Sequence, residues 1–238
     1  MINRFSRTEM LLGSEKMDML RAARVAVFGL GGVGGQAAEA LARCGVGGFS
    51  LFDNDTVSLT NINRQVIATD ETVGRLKTDV MKERILSINP AAEVETHNVF
   101  YLPENADDFP LSEYTYVIDA IDTVSAKLEL AVRAERLGVP IISSMGTGNK
   151  LDPSQLKVTD IYKTSMCHLA RVMRRELKAR DVEKLKVVYS SEPALKPSAT
   201  EEQTSKRQTP GSVSFVPPVA GLLIAGEVVR DLTGISGL

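Results

Sequence analysis

Val25-Ala26-Val27-Phe28-Gly29-Leu30-Gly31-Gly32-Val33-Gly34 is the stretch on which the reading turns. Four apolar residues run into a cluster of glycines, the pattern of a buried parallel strand that ends in a tight turn. From Val33 to Arg43 the residues suit a helix, and Ala37, Ala38, Ala40, Leu41 and Ala42 are small enough to lie close to a sheet. Gly29, Gly31, Gly32 and Gly34 let the backbone approach a phosphate, while the helix N-terminus offers free N–H groups and a partial positive charge. A second strand, Phe49 to Phe52, delivers Asp53 at its carboxyl end, 19 residues past Gly34. That is close to the spacing of about 20 at which a carboxylate grips ribose hydroxyls. Taken alone, the pattern is a nucleotide site of unspecified kind. A nicotinamide dehydrogenase and an unliganded strand–helix turn both remain open on these residues.

Outward from there the alternation continues. Helices are expected over Thr72 to Ser87 and Ser125 to Leu137, and strands over Glu93 to Phe100, Tyr116 to Ala120 and Val139 to Ser144. Strands alternating with helices imply an α/β fold: a doubly wound, Rossmann-like, mostly parallel sheet. Past Gly148 a strand is expected from Gln155 to Ile161 and a charged helix from Leu169 to Lys186, a C-terminal extension of the sheet. Pro193 to Ser212 is rich in Pro, Ser, Thr, Glu, Gln and Lys and reads as a mobile loop. The division expected is one domain over 1–238, with a nucleotide-binding core over 1–150 and a substrate and dimer-contact portion over 151–238 that contains the loop 193–212.

Composition narrows the function classes. The 238 residues are 43% hydrophobic and 24% charged, with a net charge of −2, which excludes a wholly basic nucleic-acid coat but not a local basic patch. The two cysteines, Cys44 and Cys167, lie 123 positions apart and form no CxxC pair, so a four-cysteine zinc site cannot form from one chain, and so few cysteines argue against a disulfide framework. Both read as structural residues, and neither histidine belongs to a motif. No stretch resembles a secretory signal. The most apolar stretch, Val213 to Val229, holds Pro217, Pro218 and Glu227 and falls short of the ~20 clean residues of a membrane span, so it reads as a buried helix or subunit contact. The compartment expected is the cytoplasm.

The residues after Asp53 shift the nucleotide reading. Asp53 to Gln65 is polar and includes Asp55, Asn61, Arg64 and Gln65, and Lys77 follows at Gly74-Arg75-Leu76-Lys77. A dinucleotide reader has little use for two further cations there, whereas a triphosphate carries about four negative charges. Asp119-Ala120-Ile121-Asp122-Thr123 then ends a core strand at the same sheet edge, where a carboxylate can hold Mg²⁺ against phosphates. Individually, Asn61 and Arg64 also fit a capped surface turn, Lys77 a solvated helix residue, and Asp122 a helix N-cap.

Together these residues resemble the ThiF/MoeB/HesA family of adenylating enzymes, relatives of ubiquitin-activating enzymes. The similar region runs from about Arg4 to Gly148, with Arg7, the glycine run, Asp53, Asn61, Arg64, Gln65, Lys77 and Asp122 at motif positions. The resemblance implies ATP in place of a dinucleotide, with its ribose on Asp53 and its phosphates on Gly32, Asn61, Arg64 and Lys77. Asp55 and Thr123 would join the nucleotide contacts. It further implies Mg²⁺ at Asp122 and a homodimer in which Arg7 reaches the partner's phosphates as an arginine finger. The implied chemistry is attack of a carboxylate on the α-phosphate, giving an acyl-adenylate and pyrophosphate.

The second half departs from members that activate sulfur carriers, which typically hold zinc on two CxxC pairs. It is similar instead to the tRNA threonylcarbamoyladenosine dehydratases of that family, in Ser143 to Pro153, Val158 to Thr164, Tyr189 to Pro193 and the apolar tail. That likeness implies adenylation of a free carboxylate on a modified tRNA adenosine, followed by ring closure by its own carbamoyl group. The alternative is activation of the C-terminal glycine of a ubiquitin-like sulfur carrier; a binding module without turnover and a dehydrogenase rank below both. Some relatives carry a cysteine before the C-terminal helix, but Gln208 to Ser212 has none, which argues against a covalent or sulfur-relay role at that position; a sulfur-transfer partner protein stays open. For the RNA, Arg171, Arg174, Arg175 and Lys178 share one helical face, within a segment of seven basic and three acidic residues from Arg171 to Lys186. The same face also fits a plain solvated surface. Lys206 and Arg207 are further candidates, and no aromatic interleaving for base stacking accompanies them.

Overall fold

A computed structural model describes residues 2–198 and 210–235. In chain order the elements are α1 (Ser6–Leu12), α2 (Ser14–Ala22), β1 (Arg24–Phe28), α3 (Gly34–Cys44), β2 (Gly48–Phe52), α4 (Lys77–Ile88), β3 (Glu93–His97), β4 (Tyr116–Asp119), α5 (Val124–Leu137), β5 (Ile141–Ser144), β6 (Leu156–Asp160), α6 (His168–Lys178), β7 (Lys186–Ser190) and α7 (Pro217–Thr233). The strands form one sheet in the order β3-β2-β1-β4-β5-β7-β6. Every pairing is parallel except the last, in which β6 runs antiparallel to β7. This is the doubly wound arrangement expected from the alternation.

The central strand shows why so continuous an apolar run is needed. Val25, Ala26, Val27 and Phe28 are all fully buried. Val25 and Val27 join the core under α3 and α7, with Leu41, Ile224 and Val228. Ala26 and Phe28 face the opposite core, with Phe52, Tyr101 and the α5 residues Ala126 and Leu130. A strand covered on both faces has no polar side to offer, and period-two patterning disappears from it. The apolar tail behaves as expected: α7 buries Ala220, Gly221, Ile224 and Val228. No described helix is long and apolar enough to cross a membrane.

Two helix boundaries differ from the sequence reading. The helix expected from Thr72 begins only at Lys77, because Gly74 adopts φ +86° and the chain before it is tied back to Val57 by Val57 N–H to the Arg75 carbonyl and Gly74 N–H to the Val57 carbonyl, each 2.8 Å. The charged helix expected to Lys186 ends at Lys178. Asp181 turns the chain at φ +56°, and Lys186–Ser190 becomes the buried strand β7, inserted between β5 and β6. The lysines and glutamate before it hid the Val187-Val188-Tyr189 core, which is fully or almost fully buried. The helices α1 and α2 were not anticipated. Of the loop expected over 193–212, residues 199–209, with Lys206 and Arg207, lie outside the described residues; 193–198 and 210–212 hold no regular element.

Candidate functional site

Register brings the motifs to one edge. Phe28 pairs with Phe52 on one side and Asp119 on the other, so the segments leaving β1, β2 and β4 emerge together at the switch point, where α/β sheets bind ligands. Gly29 has φ +89°, and a Cβ there would stand 2.7 Å from the Ala120 carbonyl oxygen. Glycine is therefore what lets the first turn press against the segment that carries Asp122. Gly34 opens α3, and a Cβ at Gly31 would meet open space. The position of a Cβ at Gly32 abuts the Arg64 backbone carbonyl and Cγ, and also Pro217 at the start of α7.

Asp53 closes the site from below. Its carboxylate accepts the Leu30 N–H at 2.7 Å and the Asp55 N–H at 2.9 Å, which fixes it against the glycine turn. Burial pushes its carboxyl above the ordinary aspartate value, and the nearby Lys77 ammonium opposes that shift. Lys77 is buried at the first position of α4, 2.7 Å from the Asp55 carboxylate and 3.7 Å from that of Asp53. An ammonium held this way is anchored without a ligand.

Asn61 is buried in a short 3₁₀ turn, where its side-chain oxygen accepts the Ser58 N–H at 3.2 Å. Both the turn reading and the ligand reading of Asn61 fit this geometry, because the bond leaves its amide nitrogen for another acceptor. Arg64 is half-buried and donates to the Thr60 carbonyl and to Asn63 Oδ1, both at 2.9 Å. Gln65 is 6% exposed, and its Oε1 is buried with no hydrogen-bond partner among the described residues. A buried amide left open in this way matches a site that a polar ligand completes. Asp122 is exposed beyond β4, and Thr123 caps α5 through its extended backbone, without a side-chain bond.

The sequence reading missed the support beneath Asp122. Asp119 and Lys127, both fully buried, form an ion pair at 2.9 Å; Ser143 Oγ–H donates to the same carboxylate, and the Lys127 ammonium also donates to the Ile121 carbonyl at 3.1 Å. The signal was a lysine placed beside the apolar positions Ala126, Leu130 and Ala131 of a helix that follows an aspartate-ended strand.

Arg7 is not brought to this site within one chain. It is exposed on α1, a helix with no buried residue. Phe5 at its start lies against Gly45, past the last turn of α3, and Arg4 donates to the Ile88 carbonyl at the last turn of α4. Both are the helix ends remote from Gly34 and Lys77, and 12 residues of α4 span about 18 Å. On α6 the expected basic face is thinned: Arg174 is half-buried and donates to the Thr164 carbonyl at 3.0 Å, Arg175 pairs with Glu176 at 2.7 Å, and Arg171 meets His168 Nδ1 at 2.8 Å. Lys178 is exposed. Cys167 is buried, and its Sγ accepts the Ala170 N–H at the start of α6, the structural role expected of it. Cys44 is half-buried against the main core, and both thiols are free.

The ThiF family profile matches residues 5–237. This chain belongs to the ThiF family. The tRNA threonylcarbamoyladenosine dehydratase of Bacillus subtilis (strain 168) is 42% identical over 242 residues, covering 98% of this chain and 95% of that protein. Crystal structures of the E. coli tRNA N6-threonylcarbamoyladenosine dehydratase with AMP and with ATP match at a TM-score of 0.89 and 34% identity, over 97% of this chain and 94% of that one. An adenylyltransferase and sulfurtransferase from Ogataea parapolymorpha is 33% identical over 66% of this chain and 39% of its own length. The glycine turn and the residues gathered around it are thus set within a fold similar over 97% of the chain to a dehydratase crystallised with ATP and with AMP.

Proposed function

We propose that this ThiF-family chain is an ATP-dependent tRNA threonylcarbamoyladenosine dehydratase. The observation that carries the reading is the reach of the likeness: it spans 98% of the chain for the bacterial dehydratase but 66% for the carrier-activating adenylyltransferase. The absence of any CxxC pair points the same way.

Asp53 accepts the ribose hydroxyls, and the glycine turn with the N-terminus of α3 receives the phosphates. Asn61, Arg64 and Lys77 donate to phosphate oxygens, with Gln65, Asp55 and Thr123 flanking them. The substrate carboxylate attacks the α-phosphorus and pyrophosphate leaves. The carbamoyl group then attacks the activated acyl carbon, a proton is lost, and AMP departs carrying the oxygen that balances the loss of water. Because the second attack is intramolecular, it needs no protein nucleophile. Arg64 and Lys77 stabilise negative charge that grows on the phosphate oxygens.

Asp122 suits Mg²⁺, which commonly takes one or two carboxylates together with substrate phosphates and waters. Among the described residues no group of three or more His, Cys, Asp or Glu could hold a metal alone, so Asp122 would hold the ion together with substrate phosphates and waters. Asp119 is buried against Lys127, and Asp122, exposed at the same sheet edge, is the carboxylate that would hold the ion. When bound, Mg²⁺ supplies charge neutralisation on the phosphates.

The working unit is a homodimer. Met10 and Leu11 are 80% and 87% exposed on α1, apolar surface that a second copy would cover, and the remoteness of Arg7 from its own chain's glycine turn supports its reaching the partner's phosphates. Arg171, Arg175 and Lys178 offer cations to the tRNA backbone, and Arg174 contributes less because Thr164 engages it. A tRNA substrate supports the cytoplasm as the compartment.

The test is incubation with Mg-ATP and tRNA bearing threonylcarbamoyladenosine. AMP release together with loss of one water from that nucleoside, read by mass spectrometry, is the expected result. Turnover only with a ubiquitin-like carrier protein would replace this reading with the carrier-activating one.

A further inference from the structure

Asn149, Lys150 and Leu151 meet residues 195–198 and 211–213 around a cavity of about 340 Å³. The cavity is held open by backbone bonds. Asn149, at φ +58°, donates its N–H to the Gly211 carbonyl at 2.8 Å and accepts the Gly211 N–H on Oδ1 at 2.7 Å; its carbonyl accepts the Leu195 N–H at 2.9 Å. The apolar part of the lining is Leu151, Leu195, Pro197 and Val213.

Two of the lining residues carry polar groups that are incomplete. Lys150 is 5% exposed, yet its ammonium, with three donors, has one hydrogen-bond partner among the described residues, the Glu192 carbonyl. The Glu192 carboxylate is occupied by the backbone N–H groups of Leu151 and Asp152 at 3.0 Å each. Ser212 Oγ is buried with no partner among the described residues. Burying such groups unsatisfied is unfavourable, and a ligand that supplies acceptors relieves that cost.

The cavity also adjoins the phosphate site. The Ser212 carbonyl accepts Asn63 Nδ2–H at 2.9 Å, Asn63 Oδ1 accepts from Arg64 at 2.9 Å, and Arg64 lies against Gly32. A group held here is presented to the phosphate end of the nucleotide, opposite the ribose carboxylate Asp53. The volume lies at the small end of ligand pockets, which run from about 300 to 1,000 Å³. That suits one modified nucleoside and not a folded protein carrier.

We infer that this cavity is the substrate subsite: it takes the acylated purine of the RNA, with the base on the apolar wall, its carbonyl and hydroxyl groups on Lys150 and Ser212, and an adjoining RNA phosphate on the exposed Lys196. The inference rests on the dehydratase reading and deepens it.

The test compares binding of two RNA stem–loops, identical except for the threonylcarbamoyl group, to the full chain with a non-hydrolysable ATP analogue present. The wild type is expected to prefer the modified stem–loop, and Leu151→Trp, which fills the cavity, to lose that preference by about tenfold or more. Ser212→Val should weaken it less, and the affinity for the ATP analogue should be unchanged in both. Should Leu151→Trp lose nucleotide binding through misfolding, Ser212→Val decides alone. A preference retained in the variants overturns the subsite and leaves the dehydratase reading standing. No turnover of modified tRNA by the wild type overturns both.

Discussion

At the scale of single residues, the centre of the structure is a buried charge pair that no motif announced. Lys127 neutralises Asp119 at 2.9 Å and ties down the Ile121 carbonyl, one residue before Asp122. Removing one partner leaves an uncompensated charge in the core, at a cost of about 3–5 kcal/mol. Lys127→Met is therefore expected to lower the urea midpoint sharply, and Asp119→Asn combined with Lys127→Met to recover much of it. A single variant as stable as the wild type would show that water reaches this pair. The residues proposed to touch nucleotide were easier to find, because Asp53, Asn61, Arg64 and Lys77 follow the glycine turn in a characteristic order. Lys127 was not, since a lysine on a helix is ordinarily a solvated residue, and only the packing of α5 on the sheet puts it under cover.

At the scale of elements, the seam between α3 and α7 holds the glycine turn in place. A Cβ at Gly221 would stand 2.4 Å from the Val33 carbonyl oxygen and 2.9 Å from Gln36 Cβ. Gly221→Val forces α7 away from the start of α3, an overpacking penalty of about 1–3 kcal/mol. The expected outcome is a matching loss in denaturant unfolding together with weaker ATP binding by titration. A loss of stability without loss of ATP affinity would show that the turn is held by β4 alone, through Gly29 and Ala120. Glu39, on the opposite side of α3, binds α4. Burial would raise its carboxyl, but hydrogen bonds from Arg84 and Arg43 outweigh burial and hold it below the ordinary glutamate value. Its contribution to stability is accordingly present above the unfolded pKa and fades as pH falls through the folded one. The apolar run of α7 foretold a buried helix, whereas β7 went unseen because five of the seven residues from Arg180 to Lys186 are charged and only its last four are buried.

At the scale of the whole molecule, one chain holds the nucleotide site on one sheet edge and Arg7 at the remote ends of α3 and α4. If Arg7 acts across a dimer, mixing Arg7→Ala with Lys77→Ala subunits should restore about a quarter of wild-type activity per site by random pairing once subunits exchange, an order-of-magnitude expectation from isologous pairing. Exchange demonstrated by subunit labelling, with no recovery, would remove the arginine finger. The sequence by itself determined the alternation, the glycine turn, the order of the phosphate-directed residues and the missing CxxC pairs, because strand and helix periodicity and local turn chemistry are written within a few residues of one another. The tertiary structure alone decided which carboxylate Lys127 engages, where β7 inserts, and that residues 149–151, 195–198 and 211–213 line a cavity next to Asn63 and Arg64. Those outcomes depend on groups distant in sequence meeting inside a packed core, where burial sets the cost of every unpaired charge and hydroxyl.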